Sequence, residues 1–412
     1  MLLATGLRGR VHQTEQKSDL AFDLPPCGAA SAWPTDTGRN SATAQSITSI
    51  EFKAPRARDS AGEVFFRLNH GYAIAGDRNR SGPAQGGTGR IAVIVTIDAE
   101  IAPHSSDWGR DRGRFALERD IYGITLQGER GLPYQLELLE RHGLKGVVFV
   151  EALNAGVLGL DLLQEIVRLV QDRGHEVALH IHTEWLPYYA RPLLRDRFGR
   201  DMREFSEDDQ RRLIDQGLEF LARAGANRIF ALRAGNYGAD LATLRAARRS
   251  GIAIDSSYFA CQLSGSCRLP SDPILSQPMY LEDVLEVPIS WFRDGLGRIR
   301  PAQLCACSLG ELKHLLFEAW CQQWGVVTLL WHSFELVRRQ SPDRTQTIMR
   351  LHEYRLFRLC RFLMAHSDKF ISTTFGELDT DEVATLAASR CIHSSLGRTI
   401  RRYAEQAAGR IW

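Results

Sequence analysis

Residues 91–97 read IAVIVTI, a β-branched run with no alternation of apolar and polar positions. A strand that is apolar on both faces must be covered on both, which calls for a parallel sheet with helices packed against each side. The run then closes on TIDAE, with Asp98 and Glu100 two residues apart. Side chains two apart on a strand point the same way, so the two carboxylates face one side together. Like charges at that spacing repel and desolvate one another, and a metal ion between them is the simplest remedy.

Strand and helix patterns alternate after this run. KGVVFVEA (145–152), EVALHIH (176–182), RIFALR (228–233), IAID (252–255), LEVPISWF (285–292), GVVTLLWH (325–332) and KFIST (369–373) predict further strands. Between them, Leu132, Leu136 and Leu139 follow helical spacing around Pro133, and Gly143 ends that helix. Asp161 is read as the cap of a helix with the stripe Leu163, Ile166, Val167 and Val170, stopped by Gly174. Ser206 and Asp240 open two more helices, and the spacing predicts others over 309–324 and 344–365. Such alternation implies an α/β fold, and the strand count between 91 and 380 suits a closed or nearly closed β/α barrel better than an open sheet. In such barrels the site lies at the C-terminal ends of the strands.

Residues 1–88 are rich in Ser, Thr, Gly, Pro and Arg without sustained periodicity and are expected to be a disordered extension, with a stray strand at 63–68 at most. The barrel is expected over 89–380 and a helical tail over 381–412. The chain of 412 residues carries a formal net charge of only +2, which argues against a general nucleic-acid binder. Its eight Cys form no regular framework; Cys305 and Cys307 make a C-x-C pair with no second pair at zinc-finger spacing. No run approaches the ~18 apolar residues of a membrane span, and the first ten residues are too polar for a secretory signal. A cytoplasmic protein with reduced thiols is the expectation.

The polar residues of interest fall at strand ends: Asp98, Glu100, His180, His182, Arg233, Asp255 and His332. His180 and His182 are one residue apart, so on a strand both rings face one side, as two ligands of one ion require. Two His and one carboxylate are a common catalytic zinc set, with a position left for water. Glu184 joins them if the strand persists. Arg233 follows the apolar stretch IFAL and is expected to enter the barrel mouth, pair with a carboxylate and hold it ionised. His332 is a general acid, a ligand or a structural hydrogen-bonder. Asp255 orients an acid or base, or caps the next turn.

Taken in order, TIDAE, GHEVALHIHTEW, LRAGNYG, IDSSY and LLWHS resemble the motif series of the polysaccharide deacetylases, the NodB-homology or carbohydrate esterase family 4 group. FISTTFGEL is similar to that family's closing strand and turn. The resemblance spans roughly 91–380. It implies a distorted β/α barrel and metal-dependent removal of an N- or O-acetyl group from a sugar or polysaccharide. It further implies Asp98 as base, Arg233 steadying it, Glu100, His180 and His182 holding a divalent metal such as Zn2+, a backbone N–H near Tyr237 at the oxyanion, and His332 as acid. The chain departs from the pattern in three places. The family's second Asp is Ala99 here, with the carboxylate moved to Glu100. Its second His falls on Glu184, so that His182 or Glu184 takes that role. The Pro of R-x-P-Y-G is missing, and Asn236 lengthens the segment by one residue. These departures mark a D-x-E/H-x-H branch.

Trp185, Tyr188, Tyr189, Tyr258 and Trp291 suit stacking on sugar faces or, more commonly, core packing. Two rival readings stand: a hydrolase of small non-sugar amides on the same fold, and an inactive barrel that only binds carbohydrate or metal. At the C-terminus, Leu396, Ile400, Tyr403, Ala407 and Ile411 form a stripe beside Arg398, Arg401, Arg402 and Arg410. That pattern fits a peripheral membrane contact or, more often, a helix packed on its own barrel.

Overall fold

The structure, a computed structural model, describes residues 89–101, 110–194, 198–339, 346–385 and 390–409. The expected extension, with its stray strand at 63–68, lies outside the described residues.

A nine-stranded sheet organises the rest. Strands β1 (Ile91–Ala99), β2 (Val147–Glu151), β3 (Glu176–Ile181), β4 (Ala231–Ala234) and β5 (Ile254–Asp255) lie side by side and parallel. At one edge, β6 (Met279–Leu281) runs antiparallel to β7 (Val284–Glu286), which is parallel to β5. Strand β8 (Val326–His332) pairs along β1 from Ala92 to Asp98, and β9 (Phe370–Thr373) pairs with the first half of β1. The outer strands β6 and β8 are not partners. Irregular chain spans the gap instead: Ser290 N–H donates to Thr328 O at 3.2 Å, and Leu330 N–H to Ala302 O at 3.0 Å. The sheet is therefore a curled, open half-barrel with flanking helices, a distorted form of the closed or nearly closed β/α barrel that the strand count suggests.

Pro288 supplies the physical reason. It has no N–H for a ladder and belongs at a strand's end. The single strand expected over 285–292 accordingly breaks: β7 stops at Glu286, and Trp291–Arg293 turns away to pair with Ile299–Pro301 in a separate hairpin.

Helices α1 (Leu132–Glu140), α2 (Leu160–Gln171), α3 (Glu207–Arg223), α4 (Leu241–Arg249), α5 (Leu309–Cys321), α6 (Arg350–Ala365) and α7 (Leu396–Gly409) flank the sheet. Ser206 caps α3, while Asp240 and Ser308 close capping boxes on α4 and α5. Helix α2 buries the expected stripe, but it starts behind Gly159, whose φ of 99° a side chain rarely adopts, so Asp161 sits in the first turn and not at the cap. Helix α6 is shorter than expected because Gln346–Ile348 pairs with Val337–Arg339.

The stripe expected on α7 is partly turned outward: Leu396 and Ile400 are 51% and 57% exposed. An ionic contact decides this face. Arg402, fully buried, bridges Asp294 at 2.7 Å and Glu311 at 2.9 Å, while Glu405 accepts from Arg355. Buried charges tolerate no unpaired neighbour, so this network outweighs two exposed aliphatics. No helix among the described residues is long and apolar enough to cross a membrane.

Strand β1 carries the core on both faces, as its composition requires. Val93, Val95 and Ile97 join one apolar cluster and Ile94 another. Each such side chain contributes about 1.5–3 kcal/mol on burial. A one-residue slip would reverse every side chain, so the core fixes register. That register sets Asp98 beside His332 and Phe149, and His180 beside Glu151 and Arg233.

Candidate metal centre

Three donors converge past the C-terminal ends of β1 and β3. Glu100, His180 and His182 each offer one ligand atom, all within 4.8 Å of one another. Glu100 Oε2 stands 3.4 Å from His180 Nε2 and 2.6 Å from His182 Nε2. The buried His182 Nε2 nevertheless makes no hydrogen bond of good geometry. Two ring nitrogens gathered about one carboxylate oxygen, all three within 4.8 Å of one another, fit donors to a shared cation. The donor set fits a divalent metal ion.

Each ring is braced at its other nitrogen. His180 Nδ1 meets the Arg233 carbonyl at 2.8 Å, and His182 Nδ1 meets Glu184 Oε2 at 2.9 Å. Gly235 makes room for the second ring, since a Cβ there would lie 2.7 Å from His182 Cγ. Burial alone would lift the Glu100 carboxyl, but the neighbouring imidazoles, His182 foremost, hold it well below the usual carboxylate range. Burial likewise opposes charge on His182, and Glu100 overcomes it and raises the imidazole well above its usual value.

Asp98 belongs to a different set. Its Oδ1 accepts from Arg233 Nη1 at 2.5 Å, with both side chains buried. Arg233 also donates to Ser256 O (3.0 Å), Ser256 Oγ (3.1 Å) and Thr96 Oγ1 (3.2 Å), and its guanidinium lies 4.0 Å from the Phe149 ring centroid. Asp98 Oδ2 faces the Tyr237 hydroxyl at 3.5 Å and His332 Nε2 at 3.8 Å. Tyr237 follows Asn236 in the left-handed region, with φ of 55° and 54°, and its ring stacks on Phe259. Burial raises the Tyr237 phenol well above its usual value, so the hydroxyl stays a donor.

His332 Nε2 also lies 4.0 Å from Glu100 Oε1. Its Nδ1 meets Glu335 Oε1 at 2.8 Å, and Gln303 Nε2 and Cys305 N–H hold that carboxylate in turn. Burial pushes the imidazole down, but the Glu335 hydrogen bond and the charges of Glu100, Glu335 and Asp98 outweigh it and raise it to about 9.

The structure brings together Asp98, Glu100, His180, His182, Arg233, Tyr237 and His332. It sets three other expected residues apart. Asp255 accepts from the Ser257 N–H and hydroxyl and stands in register with Glu286, whose carboxyl burial and the Asp255 charge raise well above the usual carboxylate range. Ser257 Oγ accepts from Ala234 N–H, so Asp255 braces the end of β4 instead of touching a reacting group. Trp185 is fully buried in the core. Tyr258 is also fully buried, its hydroxyl donating to Pro270 O and accepting from Leu275 N–H. A buried ring offers no face to a sugar, so the stacking role considered for both is corrected to packing. Trp291, also buried, donates to Leu275 O.

Glu335, Thr96, Ser256 and Glu151 were not singled out in the sequence. Glu335 stands three residues after His332, and Thr96 shares a strand face with Asp98. Glu151 ends β2 and accepts from the backbone of Leu153 and His182; burial raises its carboxyl to about 7.

No family profile and no curated protein match the chain. Among solved structures, it is similar to a Mycobacterium smegmatis protein described as a candidate polysaccharide deacetylase: 19% identity, 79% of this chain and 100% of that chain, TM-score 0.44. It is also similar to a family 4 carbohydrate esterase from Streptomyces lividans, at 12% identity over 75% and 100% of the two chains, TM-score 0.33. A third likeness is to a CE4 family pseudoenzyme from Bacillus anthracis, at 12% identity over 74% and 69%, TM-score 0.28. At such scores and identities, function is read from the site alone.

Proposed function

We propose that the chain is a metal-dependent hydrolase of a carbon–nitrogen bond, and that the bond is the N-acetyl amide of a sugar or polysaccharide. One observation carries the reading. His332 Nε2 faces the gap between two carboxylates of different employment: Asp98, tied to a buried arginine, and Glu100, aimed at two imidazoles. A metal binder with no chemistry to perform needs Glu100 and the two His, but not a buried base, a base-holder and a separate acid.

Glu100, His180 and His182 would hold a divalent ion, which when bound would supply a Lewis acid and lower the pKa of water. Asp98, anchored through Oδ1, takes a proton from the attacking water on Oδ2 as the water oxygen bonds to the acyl carbon. The Tyr237 hydroxyl is a donor beside that reaction centre. His332 gives its Nε2 proton to the leaving nitrogen as the carbon–nitrogen bond breaks, which yields acetate and a free amine. Glu335 accepts from His332 Nδ1 and thereby favours the protonated ring at the start of the step.

The test is acetate release from N-acetylated oligosaccharides, O-acetylated oligosaccharides and small amides, with zinc-loaded and chelator-treated protein. Release from the N-acetyl sugars that disappears on chelation supports the reading. Turnover of small amides alone shifts the substrate class, and sugar binding without any hydrolysis favours the inactive barrel. His332→Ala is expected to retain the ion and to lower turnover by about 10²–10⁴, the worth of a general acid. A variant that emerges without metal would make His332 a ligand instead.

A further inference from the structure

His182 differs from His180 in how its ring is held. His180 lies within β3, and a backbone carbonyl of the adjacent strand fixes its Nδ1. Strand β3 ends at Ile181, so His182 has left the ladder, and its Nδ1 meets a side chain, Glu184 Oε2, at 2.9 Å. A neutral imidazole has one donor and one acceptor nitrogen. When Nδ1–H is donated to a carboxylate, the Nε2 lone pair is committed to the other side, toward Glu100.

Glu184 is itself held from two directions. Asn236 Nδ2 donates to the same oxygen at 3.2 Å, and Arg200 Nε lies 3.6 Å from the other. Arg200 also donates to Asn236 Oδ1 at 3.4 Å, which closes a triangle. Asn236 reaches this place only by taking φ 54°, a conformation that Asn tolerates better than most residues. Gly235 before it leaves space for the His182 ring.

We propose that Glu184 is a positioning residue for His182, and that Asn236 holds Glu184 in place. The inference rests on the metal reading given above. Two oddities of the sequence then explain each other: an acid follows H-x-H by two residues, and the segment LRAGNYG carries an extra Asn. Glu184 is not a third protein ligand from β3, because its oxygen sits on the Nδ1 side of a ring whose Nε2 faces the other donors.

The experiment is zinc titration of the full chain against a chromogenic chelator, with the melting temperature of each ion-free protein recorded alongside. Glu184→Ala is expected to weaken zinc binding by about 10–100-fold, the usual effect of losing such a partner. Glu184→Gln, whose amide oxygen still accepts the Nδ1 proton, should stay within a few-fold of wild type. Asn236→Gly keeps the left-handed backbone open and should cost a few-fold, with no added loss on top of Glu184→Ala. Ion-free melting temperatures should agree across the set. Wild-type affinity in Glu184→Ala overturns the inference. So does complete loss of zinc from both Glu184 variants, which would make Glu184 a ligand. Wild-type protein that takes up no zinc overturns the metal reading itself, and this inference with it.

Discussion

Arg233→Met is expected to be the most damaging single substitution in the described chain, with stability lowered by about 3–5 kcal/mol and activity abolished. Arg233 is fully buried, and its donors reach Asp98, Thr96 and Ser256. Its removal leaves the Asp98 carboxylate inside the sheet with no countercharge on the side of Oδ1. The variant must then hold a buried unpaired charge or neutralise it, and a neutral carboxyl is no base. Domains of ordinary stability have only about 5–15 kcal/mol in hand. Denaturant midpoints measure the loss. The double variant Asp98→Asn/Arg233→Met should recover part of the stability and none of the turnover, because both charges leave together. A single variant within about 1 kcal/mol of wild type would mean that the pair is not the buried unit described here.

The second large effect separates the two carboxylates of TIDAE. Glu100→Ala is expected to lose the ion and, with it, all activity, since Glu100 is the anionic donor among the three. Asp98→Asn is expected to keep the ion and still lose turnover by about 10²–10⁴ or more. The amide oxygen can still accept from Arg233, but it cannot take a proton from water. Elemental analysis of both proteins, paired with acetate release, decides the matter. Metal lost from Asp98→Asn but retained by Glu100→Ala would exchange the two roles.

Much of this site is legible in the sequence because strands impose a period of two. Asp98 and Glu100, and His180 and His182, declare themselves as same-side pairs, and Arg233 and His332 follow apolar runs that must be strands. What spacing could not give is contact across the sheet. Asp255 has the same strand-end placement as Asp98, yet a carboxyl on the neighbouring strand, Glu286, claims it. Trp185 and Tyr258 look like platforms in a one-dimensional reading, and only burial shows them to be core. Glu335 is three residues from His332 on a turn, where no regular period forces a side chain toward its neighbour. The open sheet was hidden for a related reason. Strand count measures how many strands exist, whereas closure depends on edges, and Pro288 ends β7 where a closing partner would be needed.

Anomalous diffraction from crystals of the full chain grown with zinc tests the central claim most directly, because it locates the ion without reference to activity. A single strong peak is expected within about 2.0–2.2 Å of a Glu100 carboxylate oxygen and of Nε2 of both His180 and His182. Asp98 should lie outside that sphere, still paired with Arg233. A peak bonded to Asp98 or His332, or no peak among the three donors at saturating zinc, would contradict it.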